Sequence, residues 1–362
     1  MKALRFALLC YLLGSCGGGD NYSSNVRGSS PQQEQPAGAL QIDELVKRSD
    51  VVWGFDFLPD GRMVFTEKSG SINLLNLQTL EVTALTGTPP IVLRGEGGLM
   101  DLRYHLGQLY FCHADSAATG FTVSVTRATL SGQQLVNVQK IFTANETATT
   151  AIHWGCRIEF DQSQLMYLSL GERNERIRAQ DLTFHQGKIL RLNDDGSTPA
   201  DNPFLGTPGA QPQIFSLGHR NVQGLAVRPG TLDLWASELG PTGGDEVNII
   251  KAGQNYGWPI ISHGVDAGGL IQAETRAGFV DPIAFWVPSI SPSALTFYQG
   301  DLYLANLSGQ HVRRLALRGN EVVRQDVLFS EKNWRFRNLR AGPDGKLYFS
   351  TDDGRIGTIH AP

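Results

Sequence analysis

A histidine directly ahead of an apolar, strand-like run, His153 in AIHWGCRIEFD, has the type and placement for proton transfer. With an unperturbed pKa near 6.5, its neutral ring can accept a proton near neutral pH. Arg335 and Arg337 in NWRFRNLRAGPDG stand two residues apart, so on an extended segment they share a face and offer two guanidiniums, which bind planar anions bidentately. In GPTGGDE, Gly and Pro shape a turn whose backbone carbonyls are hard oxygen donors of the kind calcium takes. LGHRNVQGLAV adds Arg220 and Asn221. Each feature also has a plainer reading: a histidine satisfied at a strand end, arginines in surface ion pairs, a glycine-rich turn with solvated acids. That plainer reading is taken for His105, His113, His185, His263, His311 and His360.

These residues sit between elements of one repeating kind. Six stretches join two runs rich in β-branched and aromatic residues through a tight turn: GFDFLPDGRMVFTEKSGSINLL from Gly54, LMDLRYHLGQLYFCHA from Leu99, CRIEFDQSQLMYLSLGERN from Cys156, GLAVRPGTLDLWASELG from Gly224, SALTFYQGDLYLANLSG from Ser293 and LRAGPDGKLYFSTDDGRIGTI from Leu339. This is hairpin chemistry, and each copy reads as a β-meander. The spacing suits one four-stranded blade per copy, so the expected fold is all-β, a six-bladed β-propeller of antiparallel blades over residues 41–362. Loops at the blade tops then converge on a central funnel, where the chemistry is expected. With 41 Gly and 17 Pro in 362 residues, a long helical bundle is excluded. A net charge of −4 and the lack of a basic, aromatic-interleaved stretch argue against a nucleic-acid partner.

The chain starts MKALRFALLCYLLGSC, a basic n-region and an apolar run too short to span a bilayer. Residues 1–15 read as a lipoprotein-type signal that leaves Cys16 as the lipid-bearing first residue; an ordinary secretory signal cleaved nearby is the alternative. Residues 16–40 are polar and rich in Gly, Ser, Gln and Pro, a flexible tether. The expected location is the periplasm, with the outer membrane touched only through the lipid. Beyond the tether Cys112 and Cys156 could pair in an oxidising compartment, and the sequence leaves open whether they meet.

Over about residues 48–362 the chain resembles the soluble PQQ-dependent aldose sugar dehydrogenases, the glucose/sorbosone dehydrogenase group related to the quinoprotein glucose dehydrogenases. The resemblance is carried by WGFDFLPDGRMVFTE, GEGGLMDL, HWGCRIEF, AQDLTFHQGKILRLNDDGSTPADNPF, GHRNVQGLAV, GPTGGDEVN with NYGWP, and RFRNLRAGPDGKLYFSTDDGRI. It implies a six-bladed propeller that oxidises aldose sugars at C1 to aldonolactones, with PQQ and Ca2+ as cofactors and a separate electron acceptor as partner. It makes His153 the base and sets Arg220 and Asn221 beside the cofactor's reactive edge. Glu96, Trp286, Arg335 and Arg337 then line the cofactor. The carbonyls of Gly240 and Pro241 hold the calcium that also ligates PQQ. Glu246, the Tyr256 carbonyl and Asp266, with Asp245 nearby, hold a second, structural calcium.

Four positions depart from the pattern: relatives usually carry Gln at Glu96, many carry Lys at Ser308, Cys156 replaces a common Gly and Glu172 a common Asp. A carboxylate at 96 is unfavourable beside an anionic cofactor unless paired or protonated. Two other function classes stay open beside the dehydrogenase: a metal-dependent propeller lactonase, and a non-catalytic lipoprotein that binds a sugar or a partner.

Overall fold

The structure is a computed structural model that describes residues 40–145 and 147–362. The expected signal sequence of residues 1–15, Cys16 as the expected lipid-bearing residue and nearly all of the expected tether lie outside the described residues.

The described residues form six four-stranded antiparallel sheets, the blades of a β-propeller. Their innermost strands are Val52–Phe57, Leu99–His105, Gly155–Phe160, Val222–Val227, Pro292–Tyr298 and Phe336–Ala341, in blades one to six. Each of the six repeated turns joins an innermost strand to the next one out, as in Phe57↔Met63 and Tyr298↔Asp301. Blade six takes its fourth strand from the start of the domain: Gln41–Lys47 pairs with Arg355–His360 and closes the ring.

Burial follows from stacking. The second strands, such as Met63–Glu67 and Leu347–Thr351, are buried along their whole length because neighbouring blades cover both faces. The outer strand Gln134–Thr143 is mostly exposed. Inner strands touch their neighbours all round the ring, and Gly54 shows how closely: a Cβ there would lie 2.8 Å from the Leu102 backbone nitrogen of blade two. Cys112 of blade two and Cys156 of blade three are joined by a disulfide with Cα atoms 6.6 Å apart. No helix among the described residues is long and apolar enough to cross a membrane.

The inner strands run in one sense along the axis, so one mouth of the channel is built from their N-terminal ends and the other from their C-terminal ends. One buried side chain joins the six blades between these mouths. Arg157 of blade three donates to Asp101 Oδ1 of blade two (3.1 Å) and to the carbonyls of Gln223 in blade four (2.6 Å), Ser293 in blade five (2.6 Å) and Arg337 in blade six (3.0 Å). Its guanidinium lies 4.2 Å from the ring centroid of Trp53 in blade one.

Candidate active site

The mouth at the N-terminal strand ends holds a cavity of about 400 Å³, within the range of small-molecule and cofactor sites. Trp53 and Trp154 supply aromatic wall, while Asn221, Arg335, Arg337, Lys68 and Glu96 supply polar groups. His153 stands beside it, between Ile152 and the wall residue Trp154, just ahead of blade three's inner strand. Its backbone is left-handed (φ 54°), and its amide donates to Glu96 Oε2 at 2.8 Å. Gly95 makes this approach possible: at φ 58°, a Cβ there would run into the Ala151 carbonyl.

The ring of His153 lies in a line of three groups. Nδ1 is 2.7 Å from Glu172 Oε1, and Nε2 is 3.2 Å from Arg220 Nη2. A carboxylate only accepts and a guanidinium only donates, so Nδ1 carries the proton and Nε2 presents its lone pair. Glu172 is fully buried, and its Oε2 has no hydrogen-bond partner among the described residues. Arg220 is fixed through its backbone N–H to Glu238 Oε2 (2.8 Å) and through Nη1 to the Leu239 carbonyl (3.1 Å). Burial pulls its pKa down, though an arginine stays charged. Its Nε has no partner among the described residues.

Across the cavity, Arg335 Nε and Arg337 Nε donate to the two oxygens of Asp352, at 2.9 and 2.7 Å. Asn221 Oδ1 accepts from the Gly155 amide at 3.2 Å, tying blade four to blade three.

This architecture has known counterparts. The profile of the glucose/sorbosone dehydrogenase family matches residues 49–359. The chain belongs to that family. It is 32% identical to the aldose sugar dehydrogenase YliI of Escherichia coli over 87% of this chain and 90% of that protein. The crystal structure of the soluble E. coli aldose sugar dehydrogenase in its apo-form superposes with a TM-score of 0.86, at 30% identity over 90% of this chain and all of that one. The PQQ-bound aldose sugar dehydrogenase of Streptomyces coelicolor gives 0.76, at 28% identity over 90% and 99%. The chain is an oxidoreductase of this family.

For this family member, the structure brings His153, Glu96, Arg220, Asn221, Arg335 and Arg337 to one mouth. Gly240 joins Glu246, Tyr256 and Glu238 around a neighbouring cavity of about 10 Å³, the room of roughly one water-sized sphere. Burial and the adjacent Glu238 push Glu246 up to about 8. Pro241 follows in the same turn, which Asp245 fixes by accepting the Gly240 amide (2.9 Å) and, through its other oxygen, the Ile290 and Ser291 amides.

Two expected site residues lie elsewhere. Trp286 is on blade four's outermost strand, where its indole donates to Gln325 of blade five at 3.0 Å; the outer position carries it away from the funnel, and Trp53 and Trp154 form the aromatic wall instead. Asp266 is held by Arg176 at 2.6 Å rather than lining the small cavity with Glu246.

Sequence reasoning missed Asp352, Lys68 and Arg157. Asp352 lies in the matched STDDGR segment, directly after one buried strand and three residues ahead of the next, where an acid in the turn was the available signal. Lys68 follows a buried strand in an ordinary-looking turn and carried no signal. Arg157 did carry one: a charged residue inside the apolar run GCRIEF of a fully buried strand start.

Proposed function

We propose that this chain oxidises aldose sugars at C1 to aldonolactones, with PQQ as the bound acceptor and His153 as the base. The observation that carries the reading is the Glu172–His153–Arg220 line at the edge of a cavity walled by tryptophan and cationic side chains. The residues present suit PQQ: its three carboxylates call for cations, and Arg335, Arg337 and Lys68 surround the cavity. Lys68 lies on the blade-one side, so the wall keeps a third cation although position 308 is serine. The Streptomyces coelicolor relative solved in PQQ-bound form supports the same cofactor.

When bound, PQQ would supply the hydride acceptor that protein side chains lack. The protein's own work is to position and to move a proton. Asp352 holds both arginines against a planar anion. His153 Nε2 takes the proton of the C1 hydroxyl, and Glu172 holds the ring and balances the imidazolium that forms. Arg220 Nη2 now caps that lone pair, so the substrate hydroxyl must displace it; the guanidinium then stays beside the reacting atoms as a fixed positive charge.

Calcium would supply a Lewis acid. The Gly240 and Pro241 carbonyls are the proposed ligands of one ion. Glu246 and the Tyr256 carbonyl are proposed for a second, which suits two neighbouring buried acids, Glu246 and Glu238; Asp266 would join only after releasing Arg176. We place the enzyme in the periplasm, exported by residues 1–15 and held by lipid on Cys16 through the tether of residues 16–40. The buried disulfide suits an oxidising compartment.

The test is reconstitution of the purified protein with PQQ and calcium, followed by dye reduction with a panel of aldoses. Reduction that requires both PQQ and an aldose is the expected result. Lactone hydrolysis without PQQ, or PQQ binding with no aldose-dependent reduction, would overturn the reading.

A further inference from the structure

The opposite mouth of the channel, where the inner strands end, holds a second cavity of about 460 Å³. Its wall carries three guanidiniums, Arg103, Arg228 and Arg340, and three carboxyl groups, Asp56, Glu159 and Asp161. They interleave: Glu159 Oε2 lies 3.3 Å from Arg340 Nη2 and 3.4 Å from Arg103 Nη2, and Arg340 Nε lies 3.6 Å from Asp56 Oδ1. In formal charge the three acids offset the three guanidiniums, with Arg228 held by the Gly319 carbonyl (2.9 Å) and Asn320 Oδ1 (2.7 Å), so a free ion finds no strongly charged partner. A neutral ligand rich in hydroxyl groups does find one, since every hydroxyl both donates and accepts.

Two further observations come from residues of its lining. Arg103 is only 5% exposed, and its Nε has no hydrogen-bond partner among the described residues; nor has Nε2 of His105. The His105 ring lies flat on Phe160, with centroids 3.8 Å apart and planes 7° apart, and Phe297 adds a second aromatic surface. Apolar ring faces beside alternating donors and acceptors match a pyranose, with C–H faces and an equatorial belt of hydroxyls. We propose that this mouth is a second ligand site, for a neutral saccharide, separate from the cavity beside His153. The two cavities share no wall residue, and Arg157 lies between them.

Trehalose is a suitable probe because both anomeric carbons are blocked and it has no C1 hydroxyl to oxidise. Saturation-transfer NMR on the PQQ-loaded protein, with trehalose up to about 50 mM, reaches well past a Kd of ~1 mM. Thr296→Trp would fill the mouth from blade five, and Gln162→Ala would remove an exposed side chain at its rim. The expected result is transfer to trehalose in the unmodified protein. The signal should fall at least about fivefold in Thr296→Trp, and about twofold in Gln162→Ala, with dye reduction from glucose unchanged. No transfer in the unmodified protein would mean that the mouth holds only water and would overturn the proposal. So would a signal that survives in Gln162→Ala and in folded Thr296→Trp, since trehalose would then be bound elsewhere. Glucose oxidation is read in the same samples, so failure of the saccharide site and failure of the dehydrogenase reading give different results.

Discussion

Replacing Arg157 with methionine keeps the length of the side chain but removes the one cation that reaches from blade three to Asp101 and to three carbonyls of blades four, five and six. Arg157 is 1% exposed, and burial already draws its pKa down to about 10, so it remains a cation at neutral pH. Asp101, fully buried, would keep Arg103 at 3.2 Å and the Ile158 amide at 3.0 Å but lose its link to blade three's guanidinium. Breaking a buried pair from one side costs about 3–5 kcal/mol. The stranded carbonyls would each add about 1–3 kcal/mol if water could not reach them. Because these terms overlap, the net loss is taken as about 4 kcal/mol. At roughly 2 °C per kcal/mol for a large domain, the melting temperature should fall by about 8 °C. Urea unfolding of the two proteins, with thermal melts beside it, is the assay. Arg157→Lys should fall between them, since one ammonium cannot reach acceptors on four blades. A loss below about 1 kcal/mol in the methionine variant would refute the idea that this side chain ties the ring together.

Further outcomes follow from other sites. His153→Ala should bind PQQ normally, by fluorescence titration, yet lose about 100- to 10,000-fold in turnover. Glu96→Gln keeps an acceptor for the His153 amide while removing an exposed negative charge from the cavity wall, and should tighten PQQ binding about two- to fivefold. Serine at both 112 and 156 should cost about 2–4 kcal/mol in denaturant unfolding, given a sequence separation of 44. At the opposite mouth, burial pushes Glu159 up to about 7 and Asp56 up to about 6, against the pull of Arg103 and with Asp101 adding to the rise. Carboxyl groups whose pKa is raised by folding hold protons more tightly in the native state. Their contribution is therefore full below the unfolded pKa and is lost as pH rises through the folded one. Between pH 5 and 7 Glu159 should cost the protein about 2 kcal/mol, and Glu159→Gln should flatten that slope; an unchanged slope would count against it.

The propeller was readable because its inner hairpins repeat a local code. PDG, RPG and YQG turns flanked by β-rich runs specify two strands without help from the rest of the chain. The closing strand Gln41–Lys47 was not readable in this way. QIDELVK has no matching turn beside it, and its partner Arg355–His360 lies at the other end of the sequence. The same division holds within the candidate site. His153, Arg220, Asn221, Arg335 and Arg337 lie at or just before inner strands, whose direction places them at one mouth once the ring is closed. Trp286 and Asp266 sit in the long excursion between Ile250 and Pro292, where neither strand period nor turn type fixes a direction.

The residues missed by sequence reading share a physical reason. Lys68 and Arg157 act across blades, Lys68 beside the Gly95–Glu96 turn and Arg157 across the axis, while Asp352 reaches across strands of its own blade to two arginines. A pattern read along the chain reports what a strand does for its own sheet, whereas these side chains answer to partners up to 180 residues away. Charge inside an apolar strand was the visible trace of that long reach. In Arg157 it marks the point where the six blades meet, and one of the carbonyls it holds is that of Arg337, a wall residue of the cavity. Loosening Arg157 should therefore weaken PQQ binding as well as the fold, an effect that a purely structural strut far from the cavity would not produce.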